Sequence, residues 1–275
     1  MKMTLNCNGE ILDLKIPKVM GILNLTPDSF YDGGKYQSAK SATERCYEML
    51  DQGADIIDIG AASSRPGSKM ISEKDELNRL IPILKILVKE FDSAIFSVDT
   101  FRSSIAKVSL DHGVAIINDI TAGKFDSNML PLIGKYNAVY IAMHMQGLPY
   151  DMQKNPSYEN VTSELLSFFS NTLKSCHLNK IKDVVIDPGF GFGKKLKQNF
   201  TILKNLEMLK EFNVPILVGF SRKSMVYKSL NIEPAEALNG TSVLNTVALL
   251  KKVNILRVHD VKEAKESIEL CKNLV

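Results

Sequence analysis

The sequence predicts an α/β fold of one kind, a (β/α)8 TIM barrel, and three observations predict it. Short β-branched runs recur eight times along the 275 residues. Stretches with helical periodicity separate them. The runs read as continuous apolar strands, which suits a parallel sheet covered on both faces. The length is also about that of one such barrel.

The strands are expected at 18–23, 55–59, 94–98, 115–118, 138–143, 183–186, 215–218 and 254–258. Ahead of them, Asn8-Gly9 stands between two short alternating runs, the pair that a two-residue hairpin turn prefers. A short N-terminal hairpin closing the barrel bottom is therefore expected. The clearest helix is 72–91, where Leu77, Leu80, Ile81, Leu84, Val88 and Phe91 repeat at steps of three and four. It opens with Ser72-Glu73-Lys74-Asp75, a capping pattern that offers acceptors to the first free backbone amides. Further helices read at 39–52, 103–111, 128–136, 161–176, 199–212, 242–252 and 261–274. A doubly wound open sheet is the rival, but it announces itself with a glycine-rich first turn. Here that turn is Asn24-Leu25-Thr26-Pro27.

Charge and cysteines narrow the function classes. With 34 basic and 31 acidic residues spread along the chain, the net charge of +3 describes a solvated surface, not a nucleic-acid patch. Cys7, Cys46, Cys176 and Cys271 lie too far apart for a metal knuckle or a redox pair. No apolar run approaches the ~20 residues needed to span a bilayer. The first ten residues lack the apolar stretch of a signal peptide. These features lead us to expect a cytoplasmic protein without membrane or nucleic-acid partners.

In a TIM barrel the chemistry gathers where the strands end. Just past the eight strands stand Asn24; Gly60; Asp99-Thr100; Asn118-Asp119; His144; Asp187; Gly219 with Ser221-Arg222-Lys223; and Arg257 with His259-Asp260. Any one of these polar residues is more often a helix cap or turn former than a catalyst. Eight on strands that converge on one mouth are hard to explain as caps alone. Other patterns fall away. The run Gly189-Phe190-Gly191-Phe192-Gly193-Lys194 has Pro188 where a phosphate loop needs glycine and Lys195 where it needs Ser or Thr. It reads better as a loop that lays backbone and Phe192 against a flat ligand. His144 and His259 lack zinc spacing, and His112 and His177 fall within helices.

Longer motifs then resemble one family. They are Gly21-Ile22-Leu23-Asn24-Leu25-Thr26-Pro27-Asp28-Ser29-Phe30 with Asp32-Gly33-Gly34, and Asp58-Ile59-Gly60 with Ser63-Ser64-Arg65-Pro66-Gly67. Ser97-Val98-Asp99-Thr100, Asn118-Asp119-Ile120, Met143-His144-Met145-Gln146-Gly147 and Asp187-Pro188-Gly189 with the following Phe-Gly run continue the series. Gly219-Phe220-Ser221-Arg222-Lys223-Ser224 and Arg257-Val258-His259-Asp260-Val261 complete it. Together, and in order, these resemble the dihydropteroate synthases, pterin-binding enzymes of folate synthesis.

The resemblance implies a single pterin-binding domain over 1–275. It implies condensation of 6-hydroxymethyl-7,8-dihydropterin pyrophosphate with p-aminobenzoate, a magnesium requirement, a homodimer, and sulfonamides in the p-aminobenzoate site. It also implies roles. Asp187 would accept from the pterin's amino group and ring N–H, Asn118 would complete that edge, and Lys223 would donate to the ring. Phe192 and Arg257 would cover the ring faces, with Met145 and Gly219 beside them. Asp99 would touch the pterin and stabilise its cation. Arg65, Arg257 and His259 would hold pyrophosphate with Asn24, the magnesium ligand. Phe30, Ser64, Pro66, Phe192 and Ser224 would line the p-aminobenzoate pocket, with Asp32 near the attacking amine. Ala62 departs from the pattern, standing where many members carry Glu. Two rivals remain: a methyltetrahydrofolate–corrinoid methyltransferase, which shares the pterin contacts, and a barrel that binds pterins without turnover.

Overall fold

Asn8 and Gly9 both take left-handed backbone, with φ of 55° and 97°, as a type I′ hairpin turn demands. They join β1 (Thr4–Cys7) to β2 (Glu10–Asp13), which pair antiparallel with Cys7 opposite Glu10. The structure is a computed structural model describing residues 3–25, 35–63, 67–68 and 70–274. Strand alternation buries Leu5, Cys7 and Leu12, which with Leu14 pack on Met20, Ile56, Ile116, Val139, Val185 and Ile255. Those partners are the lowest inward-facing row of the barrel. The hairpin therefore closes the N-terminal end, as Asn8-Gly9 predicts.

The barrel strands are β3 (Lys18–Asn24), β4 (Ile56–Gly60), β5 (Phe96–Asp99), β6 (Ile116–Asp119), β7 (Val139–Met143), β8 (Val184–Asp187), β9 (Leu217–Val218) and β10 (Ile255–Val258). They run parallel in the order β8-β7-β6-β5-β4-β3-β10-β9. One parallel bridge, Ile186 to Ile216, closes the circle, supported by the Ile186 amide donating to the Pro215 carbonyl at 3.0 Å. Around it lie α1 (Lys35–Asp51), α2 (Glu73–Glu90), α3 (Ser103–Asp111), α4 (Met129–Tyr136), α5 (Val161–Leu178), α6 (Leu196–Lys204), α7 (Ser224–Leu230), α8 (Leu238–Leu250) and α9 (Val261–Cys271). Ser72 caps α2 as expected, its hydroxyl accepting from the Asp75 amide at 3.1 Å.

Two expectations about helices need correction. The helix expected at 199–212 ends at Lys204 and gives way to a 3-10 helix, Leu206–Phe212. Its apolar residues Leu203, Leu206, Leu209 and Phe212 recur every third position, a spacing that a 3-10 helix satisfies directly. Asn205 makes the break, leaving helical angles while its side-chain amide donates to Thr162 Oγ1 at 3.2 Å. The sequence also gave no hint of α7. Its seven residues are too few for periodicity to register, and left-handed Asn231 stops it.

Residue parity positions the site. On each strand, outward residues such as Val19, Ile57, Val98, Ile117, Tyr140 and Leu256 join the core beneath the helices. The inward residues change character along the barrel axis. Ile56 is followed two positions later by Asp58, Ile95 by Ser97 and Asp99, Ile116 by Asn118, Val185 by Asp187, and Ile255 by Arg257. Because strand side chains repeat with period two, the first polar residue on each of these strands sits directly above an apolar one, and on β5 Asp99 follows above Ser97. The lower half of the barrel is thus sealed by hydrocarbon, and the upper half is a polar cup.

Candidate active site

Asp58 is the centre of that cup. Fully buried on β4, it accepts from Ser97 Oγ at 2.6 Å, Asn118 Nδ2 at 3.0 Å and Arg257 Nε at 2.6 Å. Four strands are tied through one carboxylate. Arg257 reaches onward, Nη2 donating to Asp99 Oδ2 at 3.0 Å. The Arg257 side chain is 18% exposed, so it is held from within the barrel yet not sealed from solvent. The two neighbouring carboxylates push the Arg257 pKa up against the opposing effect of burial. For Asp99, burial pushes the carboxyl up to about 7, Arg257 pulls it down, and Asp58, Glu76 and Asp119 push it up. Removing the guanidinium should therefore raise the Asp99 pKa further. If Asp99 works ionised, the acidic limb of the pH dependence of kcat/KM should shift to higher pH in Arg257→Met. A limb that stays in place would separate Asp99 from the rate.

A second set faces the first. Asp187, at the end of β8, accepts from the Gly189 amide at 2.7 Å through Oδ1, and Oδ2 has no partner among the described residues. Burial pushes this carboxyl up, while Lys223, the Gly189 amide, Arg257 and Lys194 pull it down. Asn118 likewise spends its Nδ2 on Asp58, leaving its side-chain oxygen without a described partner. Lys223 lies past β9 with its Nζ 4.8 Å from the centre of the Phe192 ring. Burial pulls its ammonium down to about 8, Asp187 opposing and Arg257 adding to the effect. A side chain at Gly219 would press on the Arg257 carbonyl at 3.2 Å and lie 3.7 Å from Lys223 Nζ, so the bare backbone leaves room for both. Met145 packs with Phe101, Ile120, Met143 and Met152, an apolar bed on which Phe192 rests.

The strand ends after β9 and β10 are joined to each other. Ser221 Oγ lies 2.9 Å from His259 Nδ1 and accepts from the His259 amide at 3.3 Å. Arg222, in left-handed backbone with φ 56°, donates to Asp260 Oδ1 at 2.7 Å. Arg45, from α1, donates to the His259 carbonyl at 2.6 Å. Ser224 is the first residue of α7, half-buried.

Of the expected site residues, Asp99, Asn118, Asp187, Gly219, Lys223 and Arg257 come together at one mouth with Met145 and Phe192. Phe30, Asp32, Ser64, Arg65 and Pro66 lie outside the described residues. Glu76 on α2 is a buried carboxylate that accepts from Thr100 Oγ1 at 2.8 Å and pairs with Arg102. Arg102 in turn donates to the Ile71 carbonyl at 2.7 Å. Asp58 belongs to one of the family motifs, yet its central place is not among the roles that the resemblance implies. Its signal is the inward parity it shares with Ile56 and Gly60.

Among the described residues no three His, Cys, Asp or Glu side chains gather as a metal cage. Asn24 ends β3 half-buried, and its side chain forms no hydrogen bond with a described residue. A side chain on Gly60 would lie 3.5 Å from Asn24 Oδ1 and 3.8 Å from Asp99 Cβ, so bare glycine leaves a gap between them. One amide oxygen beside an open gap fits an ion that keeps most of its water.

A closed barrel with a polar cup of buried carboxylates, an amide and cations is the architecture of a barrel enzyme. The family model described as pterin binding enzyme matches residues 20–259. Dihydropteroate synthase of Escherichia coli strain K12 is 40% identical over 270 residues, covering 98% of this chain and 95% of its own. Among solved structures, a Yersinia pestis dihydropteroate synthase in a sulfonamide drug complex is 39% identical. It superposes with a TM-score of 0.92 over 99% of this chain and 98% of its own. A Xanthomonas albilineans dihydropteroate synthase with 4-aminobenzoic acid is 33% identical, with a TM-score of 0.93 over 100% and 98%. The chain belongs to the dihydropteroate synthase family.

Proposed function

We propose that the protein condenses 6-hydroxymethyl-7,8-dihydropterin pyrophosphate with p-aminobenzoate, giving 7,8-dihydropteroate and pyrophosphate. The observation that carries this reading is the pair of open acceptors at the mouth, Asp187 Oδ2 and the Asn118 side-chain oxygen. A pterin offers an amino group and a ring N–H on one edge, and two buried acceptors match that edge. Buried polar groups left unpaired are strongly penalised, so such a site discriminates against rings that lack those donors. Lys223 donates to the ring, and Phe192 and Arg257 cover its faces, with Met145 and Gly219 beside it.

The carbon–oxygen bond to pyrophosphate breaks first, and the electron pair leaves with the phosphate. The positive charge left on the pterin is spread over its ring. Asp99 stabilises it electrostatically, already fixed in place by Arg257 before the charge develops. Arg257, Arg65 and His259 bind the departing pyrophosphate. Asn24 would hold magnesium together with water, and the ion would supply further positive charge to the phosphates. The p-aminobenzoate amine then attacks the exocyclic carbon and releases a proton, with Asp32 near it. Phe30, Ser64, Pro66, Phe192 and Ser224 form the p-aminobenzoate pocket, where sulfonamides compete.

The chain works as one domain and pairs as a homodimer, a reading supported by exposed Leu230, Leu238, Val243 and Leu250 on and beside α7 and α8. No described helix is long and apolar enough to cross a membrane, and a cytoplasmic location is part of the proposal.

The test is direct. Incubation with the pterin pyrophosphate, p-aminobenzoate and magnesium should yield dihydropteroate, and its absence rejects the assignment. A binding experiment probes the order of events. Because Phe30 comes from the stretch after β3, and Ser64 and Pro66 come from the stretch after β4 that also supplies Arg65, p-aminobenzoate should bind poorly alone. Pyrophosphate with magnesium should raise its affinity at least tenfold, and linkage requires the reverse effect too. Equal affinity in both titrations would mean the pocket is preformed.

A further inference from the structure

Lys194 is 3% exposed, and its ammonium has three hydrogens to place. It donates to the carbonyls of His144 at 3.1 Å, Gly189 at 2.9 Å and Phe192 at 3.0 Å. All three acceptors are backbone. The loop after β8 lies so close to the loop after β7 that side chains are excluded between them. At Gly189, with φ 68°, a Cβ would meet the His144 carbonyl at 2.1 Å. At Gly193, with φ 59°, it would meet the Gln146 carbonyl at 2.3 Å. Crowded carbonyls repel, and a buried ammonium among them offsets that repulsion. Neighbouring bonds define the rest of the turn: the Gly191 amide donates to Asn199 Oδ1 at 2.7 Å, and Tyr158 donates to the Gly193 carbonyl at 2.8 Å. This turn sets the direction of Phe192, and its Gly189 amide seats the Asp187 carboxylate.

We propose that Lys194 is a positioning residue for pterin recognition: it locks three carbonyls so that Phe192 and Asp187 are held in place, and as an ammonium it sets a positive charge behind Asp187. The inference rests on the reading of Asp187 and Asn118 as the pterin edge. The charges around it are Asp187 from β8, Lys223 beyond β9, Arg257 on β10 and His144 beyond β7. Burial drives the His144 imidazole down to about 2, so it stays neutral. Burial also pulls the Lys194 ammonium down to about 7, with Lys223 adding to the effect and Asp187 opposing it. Burial pushes the Asp187 carboxyl up, and loss of the Lys194 charge removes one of the influences that oppose that push.

Lys194→Met keeps the length of the side chain and removes both charge and donors, whereas Lys194→Gln restores two N–H donors without charge. Calorimetry would use 6-hydroxymethyl-7,8-dihydropterin, which lacks the leaving group, alongside steady-state kinetics. In Lys194→Met, affinity for this alcohol should fall at least tenfold, and KM for the pterin pyrophosphate should rise in step. KM for p-aminobenzoate should rise by a smaller factor than KM for the pterin pyrophosphate, since its pocket shares Phe192 but not Asp187. The acidic limb of alcohol binding should shift to higher pH, because Asp187 has lost a nearby positive charge. Lys194→Gln should recover part of the affinity while keeping the shifted limb. A folded Lys194→Met protein with wild-type affinity or an unmoved limb would overturn the proposal. So would failure of both variants to fold, since the lysine would then serve only the barrel. Failure of the wild type to bind the alcohol would instead defeat the functional reading itself.

Discussion

Asp187→Ala should weaken binding of the pterin substrate by about 2–5 kcal/mol, the usual cost of truncating one partner of a buried charged contact. That is roughly thirtyfold to several-thousandfold in Kd. The carboxylate is 5% exposed and has one oxygen committed to the Gly189 amide, so the other is what a ligand meets. Alanine leaves two pterin donors desolvated with nothing to accept them. Stability should suffer less, because the fold loses only the bond to Gly189, worth about 1 kcal/mol. Calorimetry and a melting curve on the same preparation separate the two effects. Near-normal pterin affinity in a folded variant would remove Asp187 from the site.

Asp58→Ala should do the reverse, damaging the fold and the site together. Three donors on three other strands lose their shared acceptor: Ser97, Asn118 and the Arg257 guanidinium. Breaking a buried charge pair by removing one member costs about 3–5 kcal/mol. For a chain of this size that corresponds to a fall in Tm on the order of 10 °C. Arg257 keeps its bond to Asp99 but loses the anchor at Nε, and Asn118 loses the bond that fixes its amide orientation. kcat/KM should therefore drop at temperatures where the variant is still folded. Asp58→Asn keeps an acceptor and should be milder on both counts. An unchanged Tm together with unchanged activity would show that Asp58 is not the hub described above.

Much of this architecture is legible in the sequence for a simple reason. The eight strands and most of the helices announce themselves because hydrophobic period and β-branching are local properties. The strand-end residues could be collected because, in a barrel, every strand end points to the same mouth. Asp58 escaped because its importance lies in partners 39, 60 and 199 positions away, which no window contains. Lys194 escaped for a related reason. The glycine-rich run predicts a loop against a flat ligand, but three backbone carbonyls gathered on one ammonium leave no trace in residue identity. The break at Asn205 was hidden because a three-residue apolar repeat fits two kinds of helix.

The barrel's last closure has a consequence for how the molecule comes into being. β9 has only two residues, and its ladder to β8 is the single bridge between Ile186 and Ile216. On one side of that seam stands Asp187 and on the other stand Gly219 and Lys223, the residues assigned to one ligand. A chain with the seam open would keep the other parallel ladders, their helices and the hydrocarbon floor. To a spectroscopic measure of secondary structure it would pass for native, yet its halves of the pterin contact would be parted. Local openings of this sort cost less than global unfolding and fall where pairing is sparse. Competence to recognise the proposed pterin substrate would therefore require this seam to be closed, and a bound ligand spanning both sides would act as a suture.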